Sequence, residues 1–203
     1  MNGKIRLGIF GGTFNPPHLG HVESAKSFIE SMSLDKLLVI PTSVPPHKSA
    51  DGIASAEQRI AMCRLAFSNV SKCEVSDIEV KRGGKSYTYM TLEELSSPDT
   101  EIFLLCGTDM LLSMDSWMKP EIIFNLATIC YARRESDAAN DLKIDEKTAL
   151  YRRKYGAEIV FLNSPVVEVS SSQIRERIKN GEPSDAFLTE TVRKYITDSE
   201  LYK

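Results

Sequence analysis

Short apolar runs alternate with helical patterns along the chain, and this alternation limits the possible folds more than any other feature. The runs lie at residues 5–10, 37–40, 102–106, 127–131 and 159–162. Such runs are typical of strands buried on both faces of a parallel sheet. Between them apolar residues recur at helical spacing, as in Val22, Ala25, Ile29 and Met32. We therefore predict an α/β fold, a doubly wound Rossmann-like parallel sheet with helices on both faces.

Helix starts and connections can also be read from the sequence. Ser55 with Gln58, and Ser170 with Gln173, have the spacing of capping boxes that open helices. The polar segment 134–146 is typical of a connection between elements. A chain of 203 residues fits one domain. We expect that domain to span residues 1–203, with a helical C-terminal portion over residues 170–203.

Composition excludes several classes of partner. The formal net charge is −3, without the basic excess of broad nucleic-acid binders, so we predict no nucleic acid as a partner. No run of about 18 apolar residues occurs, so we predict no membrane span and a soluble, cytoplasmic protein. The four cysteines form no CxxC pair, and we expect reduced cysteines, most of them in the core.

The stretch GIFGGTFNPPHLGHV, residues 8–22, follows the first apolar run directly. Its glycines would let the backbone approach a ligand, and its prolines would fix where a helix starts. Such a helix start offers unpaired N–H groups to an anion. His18 and His21 are three residues apart and would share one helical face near it. We predict a phosphate site here, with His18 on a surface-facing turn, although a glycine turn with two surface histidines would have the same pattern.

Two short motifs of the sequence resemble the signatures of one known superfamily. His18-Leu19-Gly20-His21 matches the HxGH motif of the nucleotidylyltransferase superfamily, and residues 170–175, SSSQIR, resemble its second signature. Further stretches, SYTYMTLEEL at residues 86–95 and GTDML at residues 107–111, resemble its bacterial nicotinate-mononucleotide adenylyltransferase branch. The resemblance extends from about residue 5 to residue 197.

The resemblance implies adenylyl transfer in NAD biosynthesis. The phosphate of nicotinate mononucleotide would attack the α-phosphate of ATP, giving deamido-NAD and pyrophosphate. This nucleophile is already anionic, so catalysis would depend on positioning and on charge stabilisation rather than on a general base. We see no carboxylate cluster that suggests a built-in metal site, so the implied Mg²⁺ would enter with ATP.

The resemblance also assigns roles to residues of this chain. The implied catalytic groups are His18, His21 and Arg175. The implied ATP-binding residues are Gly11, Gly12, Thr13, Phe14, His18, His21, Gly107, Asp109, Arg133, Ser171, Ser172 and Arg175. The implied mononucleotide-binding residues are Asn15, Lys48, Thr88, Asp109 and Trp117. His47 is a further candidate for the acceptor phosphate, and Arg134 is an alternative to Arg133.

Several alternatives remain open at this point. Asp109 and Ser170 could serve as helix N-caps, and Trp117 could be a core or lid aromatic. The acceptor could be nicotinamide mononucleotide, which differs from the acid by one charge, or the enzyme could belong to the phosphopantetheine adenylyltransferase branch. A nucleotide-binding sensor without transfer activity is a more remote alternative. Whether the chain forms a homo-oligomer is also open.

Overall fold

The computed structural model describes residues 3–43, 53–132, 141–163 and 169–203. The strands in these ranges are β1 Ile5–Gly12, β2 Lys36–Pro41, β3 Cys73–Val75, β4 Thr100–Gly107, β5 Ala127–Ala132 and β6 Ile159–Leu162. The helices are α1 Leu19–Ser31, α2 Ala56–Ala66, α3 Ile78–Arg82, α4 Thr88–Leu95, α5 Thr108–Ser113, α6 Pro120–Leu126, α7 Asp141–Tyr155, α8 Ser171–Lys179 and α9 Glu190–Asp198. Each of the five predicted apolar runs lies within a strand.

The strands form one parallel sheet in the order β3-β2-β1-β4-β5-β6. The order reverses between β1 and β4, which are direct neighbours. Ligands of open parallel sheets bind outside the carboxyl ends of the strands at such a reversal. β1 ends at Gly12 and β4 ends at Gly107, so the loops after these two glycines are the ones that the topology brings to the binding edge.

Two apolar clusters cover the two faces of the sheet, as predicted for a doubly wound fold. One cluster combines strand residues such as Phe103 with α1, α2, α8 and α9. The other combines residues such as Ile129 with α4, α5, α6 and α7. Gly8 in β1 allows close packing on the first face, because a Cβ there would overlap the side chain of Leu34 and crowd Phe28.

The predicted helix starts agree with the structure, but one connection does not. The side chains of Ser55 and Ser170 accept hydrogen bonds from the backbone N–H groups of Gln58 and Gln173, and both capping boxes are complete. The predicted connection over residues 134–146 is wrong in its second part, because α7 begins at Asp141. The short strand β3 has no clear sequence signal, since it contains only three half-buried or exposed residues.

The cysteines are free thiols. Cys63, Cys106 and Cys130 are buried, while Cys73 is half-buried at the start of β3. Burial raises the pKa of Cys73 to about 11 and that of Cys130 to about 12. These side chains are therefore neutral thiols at neutral pH and act as core residues, as predicted.

Among the helices in the described part of the chain, none combines the length and apolar character needed to span a bilayer.

Candidate active site

A cavity of about 920 Å³ opens at the carboxyl ends of β1 and β4. Every predicted site residue within the described ranges lines it: Gly11, Gly12, Thr13, Phe14, Asn15, His18, His21, Thr88, Gly107, Asp109, Trp117, Ser171, Ser172 and Arg175. A volume of this size fits a drug-sized or larger ligand. Segments that are up to about 160 residues apart in sequence thus meet around one space.

The loop over residues 13–17 is held by donors from other parts of the chain. Thr13 O accepts from Arg59 Nη1 at 3.0 Å, Asn15 O accepts from Arg175 Nη1 at 2.8 Å, and Pro16 O accepts from Ser171 Oγ at 2.8 Å. A loop that binds an anion must keep its carbonyl oxygens from repelling the ligand. Here three of those oxygens are already occupied by donors, so the arrangement favours an anion above the loop.

The two histidines form one compact pair at the start of α1. Their ring centroids are 3.7 Å apart, and His21 Nδ1 accepts a hydrogen bond from the His18 backbone N–H at 3.1 Å. A neutral imidazole that accepts at Nδ1 carries its proton at Nε2. His21 can therefore donate from its ring N–H without carrying a positive charge, and such a donor suits a phosphate oxygen.

His18 itself is more enclosed than expected. It is the N-cap of α1 and is only 6% exposed, so the prediction that it lies on a surface-facing turn is wrong. Its ring packs against that of His21, which in turn contacts Phe14 edge-on at 5.1 Å between centroids. Loss of the His18 side chain would therefore affect packing as well as chemistry.

The start of α8 lies on the same cavity. Ser170 is its N-cap, and the first turns of both α1 and α8 contain no acidic residue that would offset the positive ends of their dipoles. The Ser171 hydroxyl donates to Pro16 O, so its proton is already used and only its backbone N–H could serve an anion. Ser172 Oγ accepts from Arg175 Nη2 at 3.3 Å and keeps its own proton.

The glycines of the site differ in whether a side chain would fit at their positions. A Cβ at Gly11 or at Gly107 would meet nothing within 4 Å, so both positions face open space above the ends of β1 and β4. A Cβ at Gly12 would instead come within 3.0 Å of the Phe14 ring. Phe14 is 2% exposed and has φ of 49°, a left-handed conformation that is unusual for a bulky residue. Gly12 is therefore needed for the packing of Phe14 at least as much as for a ligand.

Asp109 lies in the first turn of α5 and is exposed at the cavity. The N-cap of α5 is Gly107, so the alternative that Asp109 is an N-cap is wrong. The Asp109 carboxylate therefore does not serve as the N-cap of α5.

The other end of the cavity contains Thr88 and Trp117. Thr88 is the first residue of α4, so the N–H groups of that helix start are near it. Trp117 is half-buried and directly follows a short 3₁₀ helix, Met114–Ser116. This end joins an aromatic face to a set of backbone donors, a combination that suits a flat anionic ring.

The segment before Trp117 is anchored on α7. Lys147 Nζ donates to both carboxylate oxygens of Asp115, at 2.9 and 2.7 Å, and the Tyr151 hydroxyl lies 3.0 Å from Asp115 Oδ1. The hydrogen bond from Lys147 is the largest cause that lowers the pKa of Asp115. An Asp two residues before the only tryptophan thus fixes that tryptophan's backbone to a helix remote in sequence.

We expect Lys147→Met to lower the free energy of unfolding by about 1 kcal/mol at pH 7. Because the pKa of Asp115 is lowered in the folded state, this contribution is present above the unfolded pKa of about 4 and is lost as the pH falls through the folded value. Urea denaturation at pH 7, 5 and 3.5 should show the difference in unfolding free energy between the wild type and the variant becoming smaller at pH 3.5, which lies below the unfolded pKa. The control is Lys143→Met, at an exposed position on α7. An equal loss of stability in the control would contradict the role of Asp115, and so would a stability difference between wild type and Lys147→Met that does not change with pH.

Arg59 is a structural residue of the site that sequence analysis missed. It is 1% exposed, and its guanidinium also donates to Ala54 O at 3.1 Å, Thr42 O at 2.7 Å and Ser43 O at 3.0 Å. One side chain therefore ties the loop over residues 13–17 to the segment that follows β2. The available signal was its position three residues before Met62, on the buried stripe of α2.

Some predicted residues cannot be located. Lys48 and His47 lie in residues 44–52, and Arg133 and Arg134 lie in residues 133–140, and both segments are outside the described residues. Their assigned roles remain predictions.

The side chains around the cavity form no metal cage in the described parts of the chain. No group of three or more His, Cys, Asp or Glu side chains within those parts could hold a metal ion. Mg²⁺ prefers carboxylates together with substrate phosphates and water. The residues present therefore fit a cation that is bound mainly by nucleotide phosphates rather than by a protein cage.

Comparisons with known proteins identify the family. The family model described as Cytidylyltransferase-like matches residues 9–177. A curated relative from Desulfatibacillum aliphaticivorans, named a probable nicotinate-nucleotide adenylyltransferase, is 37% identical over 98% of this chain and 100% of its own length. A relative with the same name from Lachnoclostridium phytofermentans is 38% identical over 97% of this chain and 98% of its own.

Solved structures give the same fold. A Plasmodium falciparum nicotinic acid mononucleotide adenylyltransferase complexed with NaAD has a TM-score of 0.77 and 20% identity over 97% of both chains. The same enzyme complexed with APC has a TM-score of 0.75 and 19% identity, over 97% of this chain and 96% of its own. The predicted resemblance is confirmed: the chain belongs to the cytidylyltransferase-like family and, within it, to the nicotinate-nucleotide adenylyltransferase family.

Proposed function

We propose that the chain is a nucleotidyltransferase that moves the adenylyl group of ATP to nicotinate mononucleotide, producing deamido-NAD and pyrophosphate for NAD biosynthesis. The observation that supports it most is the convergence of both signatures on one cavity, where Arg175 and Ser171 bond directly to the loop that carries the histidines. The nucleotide would bring a divalent cation, for which we propose Mg²⁺. We also propose a single domain and a cytoplasmic location.

Adenylyl transfer requires hydrogen-bond donors on both sides of the bond that breaks. An oxygen of the mononucleotide phosphate attacks the α-phosphorus, and the bond from that phosphorus to the oxygen bridging to the β-phosphate breaks. His18 and His21 would stabilise charge at the α-phosphate, and Arg175 with the start of α8 would stabilise the leaving pyrophosphate. The backbone of residues 11–14 and Gly107 would surround ATP, with Asp109 at a ribose. The anionic nucleophile needs no base, so positioning supplies much of the rate.

The acid is the favoured acceptor. The start of α4 at Thr88 offers backbone N–H groups and a helix dipole, which favour a pyridine carboxylate over a neutral amide. Asn15 and Trp117 would complete that half of the site. The names of the curated relatives support the same choice.

The proposal is tested by incubating the purified protein with ATP, Mg²⁺ and one acceptor at a time. Pyrophosphate release and product mass should be recorded for nicotinate mononucleotide, nicotinamide mononucleotide, phosphopantetheine and no acceptor. We expect dinucleotide and pyrophosphate in equal amounts, with the highest kcat/KM for the acid. A preference for the amide or for phosphopantetheine would contradict the proposed acceptor. No release with any acceptor would favour a nucleotide sensor.

Trp117→Ala should raise KM for nicotinate mononucleotide about 10-fold while changing KM for ATP less than about twofold, since stacking contributes to binding only one substrate. Trp117→Phe should recover most of the affinity, and Met118→Ala, at the exposed neighbouring position of the same cavity, should behave nearly as the wild type. Steady-state kinetics with each substrate varied in turn provides the comparison. Equal increases in the two KM values would contradict a role of Trp117 in stacking on the mononucleotide.

A further inference from the structure

Lys85 is a cation at the end of the cavity that contains Thr88 and Trp117. It is exposed, lines the cavity and lies three residues before Thr88, the first residue of α4. Of the lysines and arginines that the structure describes, Lys85 and Arg175 are the two that line the cavity. Arg175 bonds to the loop over residues 13–17, so Lys85 supplies the positive side chain at the Thr88 end.

The ammonium group of Lys85 is available to a ligand. Among the described residues, none forms an ion pair or a hydrogen bond with this group. Lys81, four residues earlier, is instead paired with Asp77 at 3.0 Å. A lysine has a flexible stem and three rotatable donors. The Lys85 side chain can therefore approach an anion in the cavity without breaking an interaction within the protein.

The carboxylate that contacts α4 is already compensated. Glu79 lines the cavity and is 7% exposed, and its Oε1 accepts from the Thr91 hydroxyl at 2.7 Å. Arg82 Nη2 lies 3.9 Å from the same oxygen. Because Arg82 offsets the negative charge of Glu79, that charge does not cancel the positive charge of Lys85.

The backbone around Lys85 is fixed on both sides. Gly83 and Gly84, with φ of 72° and 69°, turn the chain after α3 in a conformation that favours glycine. Ser86 is 9% exposed, lines the cavity, and accepts a hydrogen bond at Oγ from the Ser43 backbone N–H at 2.8 Å. The Ser86 hydroxyl keeps its own proton, for which the described residues provide no acceptor. The segment thus brings a cation, a hydroxyl donor and the start of α4 to one side of the cavity.

On the basis of the proposed function, we propose that Lys85 is a specificity residue for the pyridine carboxylate of the acceptor mononucleotide. Its ammonium group attracts the negative charge that distinguishes the acid from the neutral amide. Lys85 is exposed, so this attraction is modest in size and sensitive to salt. It adds a side-chain charge to the backbone donors of α4 and does not touch the reacting atoms.

Lys85→Met removes the charge and keeps an unbranched side chain. In about 50 mM KCl we expect Kd for nicotinate mononucleotide to rise about 3- to 5-fold, the upper range for an exposed ion pair, and Kd for nicotinamide mononucleotide to change less than about 1.5-fold. The fluorescence of Trp117, the only tryptophan, reports both titrations without turnover, in the presence of saturating α,β-methylene ATP. Lys85→Arg should bind the acid within about twofold of the wild type. Lys81→Met is the matched control, because it removes one charge from an exposed lysine that does not line the cavity.

Salt and the choice of acceptor decide how the charge acts. In about 500 mM KCl the effect of Lys85→Met on the acid should fall below about twofold, because salt screens exposed charges. Equal rises in Kd for the acid and the amide would indicate the phosphate that both share, and would overturn the inference. An unchanged Kd for the acid, the same rise in Lys81→Met, or an effect that salt does not reduce would also overturn it.

Binding and turnover separate this inference from the proposed function. If the wild type binds the acid but releases no pyrophosphate, the proposed function is contradicted and the Kd comparison still decides the role of Lys85. If the wild type is active and Lys85→Met binds the acid unchanged, only the inference is contradicted. A wild type that does not bind the acid contradicts both.

Discussion

Arg175→Ala is expected to lower kcat by about 10³-fold, the lower end of the range known for arginines that stabilise transferred phosphoryl groups. The guanidinium uses Nη1 to bond Asn15 O and Nη2 to approach Ser172 Oγ, and it has five N–H donors in all. The remaining donors can face the pyrophosphate as negative charge develops on it. The loss should therefore appear in kcat rather than mainly in KM for ATP.

Two further variants test whether position or charge alone matters at Arg175. Arg175→Lys keeps the charge, but an ammonium group cannot hold Asn15 O and a phosphate with the same fork geometry, so we expect it to remain at least about 10-fold slower than the wild type. Arg177→Ala changes an arginine on the same helix that pairs with Glu182 instead, and it should be nearly neutral. If Arg175→Ala keeps kcat within tenfold of the wild type while its melting temperature is unchanged, Arg175 has no role at the leaving group.

His18→Asn is expected to lower kcat by about 10²- to 10³-fold, as does the loss of one donor to a developing oxyanion. Asn is among the best N-cap residues, so this change removes the imidazole and keeps a cap for α1. The comparison with His18→Ala then separates the two functions of the residue. The Ala variant should be less stable than the Asn variant by about 1 kcal/mol, and both should be similarly slow.

Stability and activity together decide how His18 is used. Thermal unfolding should place His18→Asn between the wild type and His18→Ala, because Asn keeps a cap for α1 while the ring packing with His21 is lost. If His18→Asn is as active as the wild type, the histidine is a helix cap and a packing residue. If the two variants lose activity only in proportion to their loss of folded protein, the proposed catalytic role is wrong.

The fold could be predicted because its signals are local. Every strand except β3 is marked in the sequence by an apolar run. The helix starts at Ser55 and Ser170 have their capping partners three residues later. β3 gave no such signal, since its three residues are not buried. α7 was partly missed because four of its first six residues are charged and most of the six are exposed, which is also typical of a connection.

The candidate site was predictable where a motif marks it and not where tertiary packing makes it. Both signatures line the cavity, but the sequence did not show that the Ser171 hydroxyl is used on Pro16 O. Arg59 was missed because its partner Thr13 lies far along the chain and because single Arg residues are common in any sequence. The burial of His18 was missed because the motif shows which residues share the start of α1 but not how far the site encloses them.

The central claim is that the histidine pair and Arg175 bind one triphosphate from opposite ends. A crystal structure of the protein with Mg²⁺ and α,β-methylene ATP tests it most directly. We predict an α-phosphate oxygen within about 3.2 Å of a ring nitrogen of His18 or His21, and a β- or γ-phosphate oxygen at the same distance from the Arg175 guanidinium. A triphosphate that lies elsewhere, or that contacts only one of these two groups, would contradict the account.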